Sequence, residues 1–155
     1  DRGYDFLIEQ MKKGAVSKYY KVLVCGHLEP KTGTIEAPVG RSFFDRKKMT
    51  AFDHSGRPSV THYTVEQYFD DYTFLDVRLG TGRTHQIRVH FQAIGFPVVG
   101  DPTYGKASVN KKFEQAFGLR RQFLHAYKLV FPVLDSSQTM AIESELPEDL
   151  ALIKI

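Results

Sequence analysis

Several features that would define the class of this chain are scarce. The only cysteine is Cys25, so an intramolecular disulfide cannot form, and a lone thiol suits a reducing compartment such as the cytoplasm. No apolar run approaches the roughly 20 residues that a membrane helix needs. We therefore expect a cytoplasmic protein that has neither disulfides nor a membrane partner.

Metal-ligand and nucleotide-binding patterns are also missing. The six histidines are dispersed, and His85 and His90 lie five positions apart, which places them on different faces of a helix. Gly80–His85 lacks the Gly-Lys-Ser/Thr ending of a phosphate loop. Its glycine spacing is too short for a Rossmann fingerprint. The sequence therefore does not support a metal site, a nucleotide hydrolase or a dinucleotide-binding domain.

The composition is that of an ordinary globular chain. It is 42% apolar and 13% aromatic over 155 residues, which fits one domain over residues 1–155. The net charge of +3 permits nucleic-acid binding without requiring it, and for any single lysine a solvated surface is the better explanation. Basic residues fall in three groups: Arg41, Arg46, Lys47, Lys48 and Arg57; Arg78, Arg83 and Arg88; and Lys106, Lys111, Lys112, Arg120 and Arg121.

Hydrophobic periodicity predicts an α+β fold with a mixed, largely antiparallel sheet and few helices, because strands dominate and do not alternate with helices. The clearest hairpin joins residues 59–69 to residues 72–79. The clearest helix covers residues 84–94, with a core stripe that starts at Ile87 and with Gly95 as its stop. Other predicted strands cover residues 18–24, 34–38, 49–52, 122–132 and 138–145, other helices cover residues 3–13 and 146–153, and residues 106–121 are predicted to be a polar, mobile loop.

The segment from Arg78 to His90 is the most informative part of the chain. A strand runs into a glycine-rich turn, and a helix then opens with cations in its first turns, where the helix dipole favours carboxylates instead. Arg83, His85 and Arg88 are therefore better explained by an anion that they hold, either a phosphate or a carboxylate from elsewhere in the fold. A guanidinium on a rigid helix can pair bidentately with such a group.

Tyr20 is a single aromatic residue of interest within the strand predicted over residues 18–24. Two interpretations stay open from the residues alone. The ring can pack in the core, or it can form a platform on which a base stacks.

Two adjoining segments, Thr81–His90 and Gly95–Gly105, closely resemble the RluA-type family of RNA pseudouridine synthases. The long motif is specific, and the resemblance spans about residues 3–147. Shorter matches occur in the family's order, at Lys18–Gly26, Ile35–Arg41, Lys48–Met49, Gly56–Thr61 and Phe123–Ala126.

The resemblance implies an enzyme of the pseudouridine synthase fold that isomerises uridine to pseudouridine in ribosomal or transfer RNA. An aspartate attacks the nucleotide, the glycosidic bond breaks, the base turns and C5 joins the sugar, without a metal or an organic cofactor. The target nucleotide must first leave its stack.

The resemblance also implies roles for five residues of this chain. Tyr20 corresponds to the tyrosine that packs against the target base and helps to remove the proton from C5. Arg88 corresponds to the arginine that pairs with the catalytic aspartate, and Leu124 to a leucine that lines the pocket. Arg83 and His85 would then support the turn or contact RNA phosphate.

The chain departs from the family pattern in one respect. The family's aspartate lies in a His-Arg-Leu-Asp motif followed by Thr-Ser-Gly, and no aspartate here has that context. Because the chain starts at Asp1 without a methionine, we expect the C-terminal part of a longer catalytic domain, inactive by itself and completed by its N-terminal part.

This departure leads to two structural expectations and leaves two alternatives. Arg88 is expected to lack its partner, with water, a buffer anion or Asp76 in its place, and missing strands are expected to leave an exposed apolar sheet edge. The main alternative is a non-catalytic RNA-binding protein derived from the family. A basic domain without an RNA role is a further alternative.

Overall fold

A computed structural model describes residues 1–155, which form four helices and eight strands. The helices are α1 (Arg2–Lys12), α2 (Gln86–Ala93), α3 (Ala107–Phe117) and α4 (Glu148–Ala151). The strands are β1 (Ser17–Cys25), β2 (Thr32–Glu36), β3 (Val39–Arg41), β4 (Met49–Ala51), β5 (Val60–Tyr68), β6 (Tyr72–Leu79), β7 (Leu124–Pro132) and β8 (Thr139–Glu143). None of the helices has the length and apolar character needed to span a bilayer.

Six strands form one sheet in the order β2-β5-β6-β1-β7-β8, while β3 pairs with β4 in a separate ribbon. Every neighbouring pair is antiparallel. The predicted α+β class is therefore confirmed, and the sheet is antiparallel throughout. The predicted hairpin is β5–β6, closed by a 2.9 Å bond from the Phe69 N–H to the Tyr72 carbonyl.

The central strand β1 divides the core in two, because its side chains alternate between the faces of the sheet. Val22 belongs to one cluster of buried side chains, which includes Phe91 of α2. Leu23 belongs to the other, which includes Phe113 of α3 and a residue of α4. Tyr20 shares the face of Val22 and packs against the α2-side cluster. The sheet thus separates α2 from α3 and α4.

The helix predicted over residues 84–94 is α2, which starts two residues later, at Gln86. Its stripe is confirmed, since Ile87 and Phe91 are buried against the sheet. Gly95 follows with φ +87°, a left-handed conformation that suits glycine at a helix end. Apolar spacing was therefore sufficient to predict which face of this helix is buried.

The prediction for residues 106–121 was wrong. Their polar composition suggested a mobile loop, but Ala107–Phe117 form α3. Val109, Phe113 and Phe117 recur every fourth residue, and Gly118 ends the helix with φ +71°. This stripe is so narrow that the average composition stays polar, although Phe113 alone is enough to anchor the helix in the core.

The strand β8 forms one edge of the sheet. All of its side chains are exposed, including Met140 and Ile142. Leu129 of the neighbouring β7 is also partly exposed. This edge of the sheet therefore exposes apolar side chains, whereas an edge left open by missing strands stays a prediction.

Candidate active site

The turn between β6 and α2 is held by one buried glutamine. Gln86 Oε1 accepts the Thr81 hydroxyl at 2.7 Å and the Arg83 backbone N–H at 3.0 Å. Its Nε2 donates to the Val60 carbonyl at 2.9 Å and to the Thr61 hydroxyl at 3.0 Å. Because both ends of the amide are satisfied, its burial is tolerated and the geometry of the turn is fixed.

One turn further along α2, His90 connects the helix to the sheet and to the segment after β2. Its Nδ1 lies 2.8 Å from the Thr61 hydroxyl, and its Nε2 lies 2.9 Å from the Ala37 carbonyl. Burial lowers the pKa of His90. The ring is therefore neutral at pH 7, with Nε2–H donating to Ala37 and Nδ1 accepting from Thr61.

His85 precedes α2 in a left-handed conformation, with φ +55°, which costs a non-glycine residue about 1–2 kcal/mol. Its Nδ1 lies 3.0 Å from the hydroxyl of Tyr104, which also accepts the Met49 backbone N–H at 2.8 Å. Burial and the nearby Arg88 lower the pKa of His85. Tyr104 therefore donates to a neutral imidazole and connects the start of α2 to β4.

Arg88 is buried and has a partner within the chain. Its Nε donates to Asp101 Oδ2 at 2.7 Å and its Nη2 donates to Asp101 Oδ1 at 2.8 Å. The expectation that Arg88 lacks a carboxylate, or takes Asp76, is therefore wrong. Asp76 instead binds Lys21 at 2.9 Å and Tyr127 at 2.5 Å. The sequence predicted that Arg88, a cation in the first turn of α2, holds an anion. In the structure that anion is the carboxylate of Asp101, in the loop after α2.

Asp101 is held as a carboxylate. Its Oδ1 also accepts the backbone N–H groups of Thr103 and Tyr104, at 2.9 and 3.0 Å. Burial alone raises the pKa of Asp101, but the hydrogen bonds from Arg88 and from these two N–H groups lower it below the ordinary value. The pair is therefore ionised at neutral pH, and both Asp101 oxygens are occupied.

The backbone around Asp101 is fixed by α3. Asn110 donates to the Asp101 carbonyl at 2.7 Å and accepts the Gly100 N–H at 2.9 Å. Gly100 has φ +79°, and a Cβ there would collide with the carbonyl oxygen of Arg121. The helix α3, which the sequence analysis did not predict, thus positions Asp101, the partner of Arg88.

One part of the Arg88 guanidinium is not used by the protein. Both contacts to Asp101 are made through Nε and Nη2. No buried side-chain nitrogen or oxygen lacks a partner, so Nη1 must be accessible from outside. A planar guanidinium with free N–H groups can bind a second oxygen acceptor without releasing the first.

All the residues predicted for the site line one pocket of about 310 Å³. They come from β1, from the turn and first residues of α2, and from the start of β7, and the sheet brings them together because β1 pairs with both β6 and β7. The pocket wall has no carboxylate. The five residues are Tyr20, Arg83, His85, Arg88 and Leu124.

The structure confirms that Tyr20 packs in the core, while the stacking of a base on its ring stays a prediction. Its ring packs against the α2-side cluster, and it also lines the pocket. Burial raises the pKa of Tyr20, so that the phenol is protonated at neutral pH. The side chain can therefore offer an aromatic ring and a hydrogen-bond donor to a molecule bound in the pocket.

Five residues that build the site were absent from the sequence prediction: Gln86, His90, Asp101, Tyr104 and Asn110. A signal for Asp101 was present, because an aspartate followed by Pro and Thr favours a turn in which its side chain bonds the backbone two residues on. Only tertiary contacts identify Tyr104 and Asn110. No group of three or more His, Cys, Asp and Glu side chains is placed to hold a metal ion.

Comparison with known proteins identifies relatives over almost the whole chain. An uncharacterised RNA pseudouridine synthase of Chloroflexus aurantiacus is 41% identical over 153 residues, which are 99% of this chain and 46% of that protein. The ribosomal large subunit pseudouridine synthase D of Nitrosomonas europaea is 43% identical over 148 residues, which are 95% of this chain and 42% of that protein. The chain therefore spans less than half the length of these relatives.

Two solved structures share the fold. The human RNA pseudouridylate synthase domain containing 1 has a TM-score of 0.75 at 31% identity, covering 90% of this chain and 58% of that chain. The human RNA pseudouridylate synthase domain containing 4 has a TM-score of 0.74 at 22% identity, covering 95% and 64%. The predicted pseudouridine synthase fold is thus confirmed.

The family model described as RNA pseudouridylate synthase matches residues 4–93, more than half of the chain. The matched range runs from α1 to the end of α2 and contains Tyr20 and Arg88. The resemblance to RNA pseudouridine synthases inferred from residues 81–105 is therefore confirmed. On these matches, this chain belongs to the RNA pseudouridylate synthase family.

Proposed function

We propose that this chain forms most of the uridine pocket of an enzyme that isomerises uridine to pseudouridine in ribosomal or transfer RNA. The observation that carries the proposal is the convergence of five residues from separate segments on one pocket. Its volume of about 310 Å³ lies at the lower end of the range for small-molecule sites. A cationic wall without carboxylates suits a nucleotide with its phosphates.

Each pocket residue has a proposed role in this reaction. Tyr20 packs against the extruded base. Its phenol is protonated at neutral pH, so it must lose its own proton before its oxygen can take part in removing the proton from C5. Leu124 supplies an apolar wall. Arg83, whose Nε and Nη2 already donate to the Pro58 carbonyl at 3.3 and 3.2 Å, contacts RNA phosphate from a braced position. His85 supports the turn through Tyr104.

The nucleophile is proposed to be an aspartate outside these 155 residues that binds Nη1 of Arg88. Two observations support this. The pocket wall has no carboxylate, and Asp101 is fully engaged by Arg88 and backbone N–H groups. The chain by itself is therefore expected to be inactive, and the activity is expected of the whole protein, in which these residues meet the remaining part of the polypeptide.

Tritium release from RNA that carries uridine labelled at C5 tests the reaction. The full-length protein should release tritium, and its Arg88→Ala variant should not. Arg120→Ala is the matched control, because Arg120 is an exposed arginine that pairs at 3.0 Å with Glu114 of α3 and does not line the pocket. Full activity of Arg88→Ala would remove the role proposed for Arg88.

The absence of a carboxylate from the pocket wall also favours a second candidate, a non-catalytic RNA-binding protein derived from the family. Such a protein would bind RNA with an affinity that falls as salt rises. It would release no tritium from any uridine-containing RNA, even at full length. If the protein shows no salt-dependent binding to RNA, the result would instead favour a basic domain without an RNA role.

A further inference from the structure

The ribbon formed by β3 and β4, here called the basic hairpin (residues 39–51), carries an exposed aromatic pair. Phe43 and Phe44 are 92% and 97% exposed, and their rings meet edge to face with centroids 5.7 Å apart. Phe52, directly after the hairpin, has φ +61°, which a bulky residue rarely adopts. Adjacent apolar side chains so exposed indicate a contact surface.

Arg41 and Arg46 line the same cavity as this aromatic pair, and Asp53 is the one acidic residue there. Arg41, Arg46 and Lys47 form no ion pair, and the only hydrogen bond from the Arg41 side chain goes to the Arg46 carbonyl at 3.3 Å. The nearest compensation is a 3.9 Å contact from Lys48 to Asp45. Surfaces that bind single-stranded nucleic acid combine exposed aromatic rings, on which bases stack, with cations that contact the phosphates. Because these cations outnumber the acidic residues beside them, Asp45 and Asp53, the surface favours a polyanion over an apolar protein segment.

Three neighbouring cavities lie between the aromatic pair and the uridine pocket, and each shares lining residues with the next. The cavity of about 510 Å³ at the aromatic pair shares Arg41 and Ser55 with a cleft of about 420 Å³. That cleft shares Arg83 with the uridine pocket. Arg57 also lines the cleft, and no acidic side chain does. Three arginines therefore mark a path between the two sites.

The hairpin is held in position relative to the pocket. The Tyr104 hydroxyl accepts the Met49 N–H of β4 at 2.8 Å and lies 3.0 Å from His85 Nδ1 at the pocket wall. An RNA strand whose nucleotide enters the pocket therefore finds the hairpin at a fixed position relative to the pocket. This reduces the ordering cost of binding a flexible chain.

From these contacts we propose that the RNA strand flanking the target uridine lies in this cleft, with its phosphates on Arg83, Arg57 and Arg41. An unpaired base stacks on the Phe43–Phe44 pair. This second site rests on the proposed function, since it takes the same RNA. It adds a stacking contact outside the pocket that would favour targets whose neighbouring nucleotide is unpaired.

Fluorescence tests the stacking directly, because the chain has no tryptophan. In full-length protein from which any other tryptophan has been removed, a single-stranded, uridine-containing RNA oligonucleotide should quench Phe44→Trp. Leu152→Trp is the control, because Leu152 is 63% exposed next to α4, which packs on the opposite face of the sheet. It should not be quenched. Equal quenching of both variants would overturn the stacking site.

Binding measurements separate stacking from charge. The double variant Phe43→Ala, Phe44→Ala should bind the oligonucleotide about tenfold more weakly with an unchanged salt slope, because no cation is lost. Arg41→Gln should lower the slope of log affinity against log salt by about 0.7. Leu152→Ala and Arg120→Gln should change neither quantity.

The outcomes distinguish this site from the proposed function. Unchanged affinity of the double variant, with normal tritium release by the full-length protein, would overturn the stacking site and leave the enzyme proposal standing. Absence of salt-dependent RNA binding by the unmodified protein would overturn both. Quenching of Phe44→Trp by an acidic peptide but not by RNA would assign the surface to a protein partner and overturn the inference.

Discussion

The turn that leads into α2 and the basic hairpin both line one cleft, but the residues that hold the turn and those that project from the hairpin are built in opposite ways. Gln86 and His90 are almost completely buried, and their polar atoms are satisfied inside the protein. Phe43 and Phe44 are almost fully exposed and contact mainly each other. Folding therefore fixes the first region, whereas the second has surface left for a binding partner. Substitutions should cost stability in one and RNA affinity in the other.

The largest loss of stability should follow from Arg88→Ala. Asp101, whose side chain is fully buried, would then be an uncompensated charge, and the free energy of unfolding should fall by about 3–5 kcal/mol. Urea denaturation measures this. The double variant Arg88→Met, Asp101→Asn should recover part of the loss, because it removes both charges and keeps an oxygen that accepts the Thr103 and Tyr104 N–H groups. A loss under about 1 kcal/mol for Arg88→Ala would contradict the buried pair.

Tyr104→Phe tests the contact that joins the two regions. It removes the hydroxyl that bonds Met49 and His85 and keeps the ring, which lies 4.9 Å from the Arg88 guanidinium. Unfolding free energy should fall by about 1–3 kcal/mol, and amide hydrogen exchange should speed up at Met49. Tyr4→Phe, on an exposed tyrosine of α1, should change neither. Unaltered exchange at Met49 would mean that the hairpin is held by other contacts.

The buried imidazole of His90 predicts a pH dependence. Its pKa in the folded protein is lowered, so the unfolded chain binds a proton first as the pH falls through about 6.5. Stability should therefore be full above that value and decrease below it, and His85, whose pKa is also lowered, acts in the same direction. Denaturation at pH 7.5 and 5.5 measures the slope, which should be smaller in His90→Gln. Equal stability at both pH values would refute a buried neutral ring.

The smallest change in stability should come from the hairpin. Phe43→Ala and Phe44→Ala should each change the free energy of unfolding by no more than about 0.5 kcal/mol, because the rings bury little surface. The same denaturation experiment applies. A loss of 2 kcal/mol or so would show that the pair packs in solution and would remove the contrast with the α2 region.

Local patterns predicted the elements whose periodicity is strong. The β5–β6 hairpin and α2 were found because alternating or helically spaced apolar residues reveal which face is buried. The helix α3 was missed because its stripe, centred on Phe113, is narrow and its other residues are polar. Average composition does not distinguish the faces of a helix. The burial of one phenylalanine can therefore anchor a helix whose other residues are mostly polar.

The candidate site shows the same division. The predicted residues Tyr20, Arg83, His85, Arg88 and Leu124 line one pocket, whereas the partner of Arg88 was not foreseen. The misplaced cation was visible in the sequence, because a helix dipole acts locally. Its carboxylate was not, because Asp101 lies in another segment and is positioned by Asn110 of α3.

By itself the sequence determined the family, the α+β class with a largely antiparallel sheet, the face of α2 that is buried and the need for an anion near Arg88. Each of these depends on neighbours within a few residues or on a long specific motif. Only the tertiary structure decided that Asp101 is that anion, that Tyr104 joins the hairpin to the pocket and that the two phenylalanines are exposed. These depend on contacts between distant segments, and folding alone brings such segments together.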